Sequence, residues 1–158
     1  VRSFVKTSLA TLSEQLDDYD TVAGVATAGI AHGALIADHI EKPFIYVRDK
    51  PKAHGRQNQI EGELKKGERV LVIEDLISTG GSSLKAINAL VEAGAEVIGI
   101  AAIFTYGFDK AKNAFEKAGY QLETLSNYDI LINEALKTNF IQESDVQLLK
   151  NWRAKINA

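Results

Sequence analysis

The stretch VLVIEDLISTGGSS (Val70 to Ser83) packs chemically capable side chains into a short, ordered run. An apolar segment ends in two adjacent acids, Glu74 and Asp75, and passes quickly into Ser78, Thr79, Gly80, Gly81, Ser82 and Ser83, whose hydroxyls can add hydrogen bonds to a ligand. Carboxylates accept hydrogen bonds from sugar hydroxyls, whereas they repel phosphate oxygens. A hydroxyl- and glycine-rich turn that opens a helix does the reverse. Its free backbone N–H groups and the positive end of the helix dipole attract an anion, and glycine lets the backbone come close to it. A sugar phosphate satisfies both halves, with its phosphate in the turn and its ribose hydroxyls on the acids. No lysine follows the glycines, so this is not the nucleoside-triphosphate loop, and the GxGxxG spacing of a dinucleotide site is also missing. The plainer alternative is an acidic strand end followed by a polar helix cap at Ser82; the order of the pieces favours the site.

A second candidate lies upstream in RDKPKAHGRQNQIEGELKKGE (Arg48 to Glu68), which is polar, glycine-punctuated and nearly without apolar periodicity. A stretch of that length inside a compact domain is functional or disordered. Arg48, Lys50, Lys52 and Arg56 supply positive charge for a polyanionic leaving group, and His54 supplies a proton or a hydrogen bond. Gly55 and Gly62 suit a segment that opens for substrate and closes to exclude water. A solvated basic loop is the alternative.

Thr27, Ala28 and Gly29 sit where an apolar run turns into a helix. Two readings stand side by side: backbone N–H groups offered to an anion, or small residues that permit tight packing. Phe104 and Tyr106 fit either a ligand-facing or a core position. His32 and His39 are seven residues apart with no third ligand in sight, and are expected to be ordinary surface histidines.

These groups need a scaffold, and the hydropathy pattern supplies one. Strands are expected at Thr21–Ala26, Pro43–Val47, Arg69–Ile73, Ala95–Phe104 and Tyr120–Ser126. Around them, helices are expected over Val1–Asp18, with Val1, Phe4, Val5, Leu9, Leu12 and Leu16 on one face, over Thr27–Ile40, and over Ser82–Ala93, closed by Gly94. Further helices follow from Asp109 to Gly119, Asn127 to Lys137 and Glu143 to Ile156. The alternation predicts an α/β fold with a central, mainly parallel sheet flanked by helices, and ligands in such a sheet bind beyond the carboxyl ends of the strands.

The 158 residues carry 46% hydrophobic and 25% charged side chains with a net charge of −3. That suffices for one domain with a core and argues against a general nucleic-acid or membrane binder. With no linker or repeat in view, residues 1–158 are expected to form one domain. Cysteine is absent, which excludes disulfides and thiolate chemistry, and the three histidines show no metal-ligand spacing. No apolar run reaches membrane length and no signal peptide is apparent, so a cytoplasmic protein is expected. The chain starts at Val1 and has no methionine, which points to a longer native protein.

Hydrophobic strand, Glu-Asp, an intervening pair and Thr-Gly-Gly-Ser resembles the phosphoribosyl pyrophosphate (PRPP) motif of type I phosphoribosyltransferases. The resemblance implies a core of that type, with Glu74 and Asp75 on the ribose hydroxyls and Ser78, Thr79, Gly80, Gly81 and Ser82 on the 5-phosphate. YVRDKPKAHGRQNQIEG (Tyr46 to Gly62) resembles the catalytic loop of orotate phosphoribosyltransferases, and GVATAGIAHGALIA (Gly24 to Ala37) looks like their pyrophosphate-side loop. IFTY and LSNYD fit the same family, so the likeness spans nearly the whole chain.

The family's activity, implied here, is transfer of phosphoribose from PRPP to orotate, giving orotidine 5′-monophosphate and pyrophosphate. Mg2+ would be carried mainly by PRPP, with no protein metal cage. Lys52, His54 and Asp75 would be catalytic, Arg48 would bind PRPP, and Thr27, Ala28 and Gly29 would line the pyrophosphate side. The Arg48–Gly62 loop would act in the neighbouring subunit of a homodimer. Two departures stand out: Asp49 occupies a position where the family often has a second basic residue, and the amino-terminal hood that contacts the base is missing. A purine phosphoribosyltransferase and a PRPP-binding regulator without catalysis are the alternatives.

Overall fold

The computed structural model describes residues 2–16, 18–50 and 59–157. Its centre is a six-stranded sheet built from β1 (Thr21–Val25), β2 (Phe44–Val47), β3 (Ile60–Glu61), β4 (Arg69–Ile77), β5 (Glu96–Thr105) and β6 (Leu122–Asn127). The spatial order is β3-β2-β1-β4-β5-β6. All neighbours run parallel except β2 and β3, which pair antiparallel through Tyr46 with Glu61 and Val47 with Ile60. The mainly parallel sheet expected from the alternation is therefore present.

Side-chain alternation divides the core into two halves, since successive residues of a strand point to opposite faces. Val70 and Val72 of β4 join Ile45, Val47 and Ile100 in one cluster. Leu71 and Ile73 join Val22, Ile36 and Leu9 in the other. The first cluster is covered by α3 (Gly81–Glu92) and α4 (Asp109–Ala118), the second by α1 (Arg2–Ser13) and α2 (Ala28–His39). A strand buried on both faces must be apolar throughout, which is why Val70–Ile73 reads as an unbroken hydrophobic run. In α3 the buried residues are Ser83, Ala86, Ile87 and Leu90, the spacing of a single helical stripe.

At the carboxyl end, α5 (Tyr128–Lys137) is capped by Asn127, whose side chain accepts from the Ile130 N–H. The last helix, α6 (Glu143–Asn157), buries no residue among those described. It is held from the side: Arg153 donates to both carboxylate oxygens of Asp129 at 2.8 Å and lies over the Tyr128 ring.

Several details differ from the sequence reading. β4 runs on through Glu74 and Asp75 to Ile77, because β5 continues beside it and pairs Glu74 with Ala102 and Ile77 with Thr105. The acids thus belong to the strand itself, and the helix after the turn starts at Gly81. The Arg48–Glu68 segment contains the two-residue strand β3, too short to leave a periodic signature. Phe4 is 73% exposed, off the buried face of α1, and Leu16 is buried in the turn beyond a helix that ends at Ser13.

Candidate active site

The carboxyl ends of β1, β2 and β4 bring together most of the described residues named from sequence. β1 ends at Val25, the Ala26–Thr27 peptide is cis, and α2 begins at Ala28. The Thr27 side chain makes no capping hydrogen bond to α2. Gly29 packs directly on β4: a Cβ placed there would stand 2.7 Å from the Ile73 carbonyl oxygen and 3.4 Å from Glu74 Oε1. Close packing and an open helix start therefore coexist in the Thr27–Gly29 segment.

Glu74 is only 5% exposed, whereas Asp75 is partly exposed. The Glu74 carboxylate accepts from the Asp75 backbone N–H and from Ser83 Oγ, each at 3.1 Å. Burial pushes its pKa up to about 8, the Asp75 side chain adding to the rise while the Asp75 N–H and Ser83 oppose it. The two acids are therefore not equivalent. Asp75 is partly open to solvent, and Glu74 is buried.

Ser78, Thr79 and Gly80 form the bend that leads into α3. Gly80 is the N-cap residue, in the left-handed region at φ 79°, and a Cβ there would meet the Phe115 ring at 2.8 Å. Both facts require glycine. Gly81 has nothing within 4 Å of its would-be Cβ, so its role is to leave room. Thr79, Gly81 and Ser82 are exposed at the start of α3, where unpaired N–H groups and the helix dipole favour an anion. Ser82 therefore lies in the first turn instead of capping the helix, and no side chain takes the capping role.

Arg48 follows β2 and ion-pairs with Glu61 of β3 at 3.5 Å. Gln59, which the sequence reading did not single out, ties the base of this segment together. Its side-chain amide donates to the carbonyls of Arg48 and Asp49 at 3.1 and 3.3 Å, and its backbone carbonyl accepts from the Arg48 N–H at 2.8 Å. Asp49 thus has a backbone role at the position where a second basic residue was expected. A small cavity of about 20 Å³ touches Ala26, Arg48, Gln59, Ser82 and Lys85, joining the β1–α2 loop, the β2 end and the α3 start. Lys52 and His54, with Arg56, lie outside the described residues.

Ser83, expected to offer its hydroxyl to the anion, is instead fully buried and donates to Glu74, because it is the polar member of an otherwise apolar helical stripe and a buried hydroxyl needs a partner. Tyr106 packs into an aromatic group with Phe104, Phe108, Tyr128 and Trp152 at ring separations of 5.4 to 5.9 Å, which gives it a packing role. His32 and His39 lie on α2 as surface or near-surface side chains. Among the described residues no group of three His, Asp or Glu side chains is placed to hold a metal ion. A larger cavity, about 410 Å³, lies between α4 and β6 against Phe108, Phe115 and Leu122. It lacks Arg48 and the start of α3, which border the smaller crevice.

Taken together, the β1–α2 loop, Arg48 and the start of α3 meet at one small crevice, and β4, which leads into that helix start, ends in a partly exposed carboxylate, Asp75, beside a buried one, Glu74. Comparison with known proteins shows the family. Residues 5–138 match the phosphoribosyl transferase domain family. Over 154 residues the chain is 56% identical to an orotate phosphoribosyltransferase of Listeria innocua, a match spanning 97% of this chain and 74% of that protein. A structure of UMP synthase from Leishmania donovani superposes with a TM-score of 0.83 at 29% identity, covering 98% of this chain and 33% of the other. The orotate phosphoribosyltransferase of Mycobacterium tuberculosis in complex with PRPP gives a TM-score of 0.65 at 25% identity, over 80% of this chain and 72% of the other.

Proposed function

This chain belongs to the phosphoribosyl transferase family, among the orotate phosphoribosyltransferases, and from that premise we propose how its residues divide the work of moving phosphoribose from PRPP to orotate. The products are orotidine 5′-monophosphate and pyrophosphate, in pyrimidine biosynthesis. The observation that carries the assignment is the join of the Glu74–Asp75 strand end to the open start of α3, within a chain 56% identical to such an enzyme.

In this scheme Ser78, Thr79, Gly80, Gly81 and Ser82 hold the 5-phosphate through backbone N–H groups and hydroxyls. Asp75 lies under the ribose. As the bond from the anomeric carbon to pyrophosphate breaks, that carbon gains positive charge, and a fixed carboxylate stabilises it more than it stabilises the ground state. The ring nitrogen of orotate then bonds to the same carbon. Thr27, Ala28 and Gly29 border the pyrophosphate with Arg48, and Lys52 and His54 meet the charge developing on it. Mg2+ would be carried on PRPP oxygens and would offset charge on the leaving group; the partly exposed Asp75 is the carboxylate that would suit such a cation.

A homodimer in the cytoplasm, with the Arg48–Gly62 loop serving the neighbouring site, belongs to the same proposal. Mixing inactive Lys52→Ala subunits with inactive Asp75→Asn subunits is expected to restore part of the activity, because one site per mixed dimer keeps both groups. No recovery on mixing contradicts the shared site. Formation of orotidine 5′-monophosphate that stops on chelation of Mg2+ tests the reaction itself.

A further inference from the structure

Contacts from one short piece of chain converge on Arg48. β3 pairs Glu61 with Tyr46 and Ile60 with Val47, the two residues on β2 and its end that lead into the arginine. Just beyond those pairs the Arg48 N–H donates to the Gln59 backbone carbonyl at 2.8 Å. The Gln59 side chain donates back to the carbonyls of Arg48 and Asp49 at 3.1 and 3.3 Å. A single residue therefore holds Arg48 at both its N–H and its carbonyl. On β3 itself, Glu61 meets the Arg48 guanidinium at 3.5 Å. That contact is long and both side chains are partly open, so it orients the guanidinium weakly and leaves donors for another acceptor. Gln59 and Arg48 also border the same crevice as Ala26 and Ser82, so the restraint is applied beside the start of α3.

We infer that Gln59 is a positioning residue for Arg48: it fixes the backbone of the arginine at the crevice before substrate arrives, while Glu61 steers the guanidinium until the pyrophosphate of PRPP takes it over. This deepens the function proposed above and rests on it. An arginine left free would have to be ordered when its ligand binds, and that ordering weakens binding. With the backbone of Arg48 already set, less is lost, and a weak partner such as Glu61 is readily exchanged for a polyanion. The benefit is confined to the group that Arg48 holds. It therefore shows in affinity for a ligand that carries pyrophosphate and not in affinity for one that lacks it.

The test is calorimetric binding to the full-length protein with Mg2+, for PRPP and for orotidine 5′-monophosphate, which has the ribose and the 5-phosphate but no pyrophosphate. Gln59→Met keeps the length of the side chain and removes both of its donor bonds. It is expected to weaken PRPP binding by about tenfold and orotidine 5′-monophosphate binding by less than about twofold. With Arg48→Ala already in place, the same substitution should change PRPP affinity by less than about twofold, because its effect passes through the arginine. Losses that simply multiply, or equal losses for the two ligands, overturn the inference. If Gln59→Met does not fold, magnetic resonance spectra of the wild type decide instead. Pyrophosphate with Mg2+ is expected to shift the side-chain N–H signals of Arg48 and Gln59 together, and a shift of Arg48 alone overturns the inference. PRPP binding that is present in the wild type and unchanged in Gln59→Met would refute the inference alone, whereas a wild type that does not bind PRPP would refute the proposed function and the inference with it.

Discussion

Ser83 on the first turn of α3 donates its hydroxyl to Glu74 on β4 at 3.1 Å, and both residues are buried. This bond joins the strand end that presents Asp75 to the helix start that presents Ser82. Its geometry carries consequences for stability as well as for catalysis.

The first is a pH dependence. Glu74 titrates at about 8 in the folded chain, against an ordinary value of 4.5, chiefly through burial. A raised pKa means that the folded state binds the proton more tightly than the unfolded chain. Its contribution is fully present below the unfolded value and is lost as pH rises through the folded one. The melting temperature of the ligand-free protein is therefore expected to fall between about pH 5 and pH 9, with a shallower slope in Glu74→Gln. Equal slopes in the two proteins would assign the effect to another group.

The two glycines of the turn are expected to behave differently. Gly80→Ala places a methyl against Phe115 at a left-handed position and should cost about 2 kcal/mol of stability by denaturant titration. Gly81→Ala meets nothing within 4 Å, so stability should change by no more than about 0.5 kcal/mol. Its methyl nevertheless stands where the phosphate is proposed to bind, and PRPP affinity should fall by about tenfold. Unaltered PRPP binding in Gly81→Ala would move the phosphate elsewhere.

Lys52 is proposed to act on charge that develops only as the bond breaks. Lys52→Ala should then lower kcat by about 100-fold while changing the dissociation constant of PRPP by less than about fivefold. Equal losses in the two quantities would make Lys52 a binding residue.

The sheet was legible because buried parallel strands are continuous apolar runs, and Val70–Ile73 is one. The glycine turn into α3 was legible because Ser-Thr-Gly-Gly follows the acids after two residues. The inequality of Glu74 and Asp75 was not, since it depends on Gly29 approaching β4 from a loop some 45 residues earlier in the chain. Continuation of β4 to Ile77 likewise depends on β5 lying alongside. Gln59 carried no signal, because an amide that binds two carbonyls across a loop base looks like any other polar residue. Ser83 was read as a hydroxyl for the anion, although its place in an apolar stripe pointed to burial.

The most direct test of the account is pyrophosphate release from PRPP with Mg2+, measured with orotate, uracil, adenine, hypoxanthine, guanine and xanthine offered one at a time. Release with orotate alone is the predicted result. Release with a purine would keep the sugar-phosphate site and contradict the assigned base, and no release with any base would contradict transfer altogether, leaving a protein that binds PRPP without reacting it.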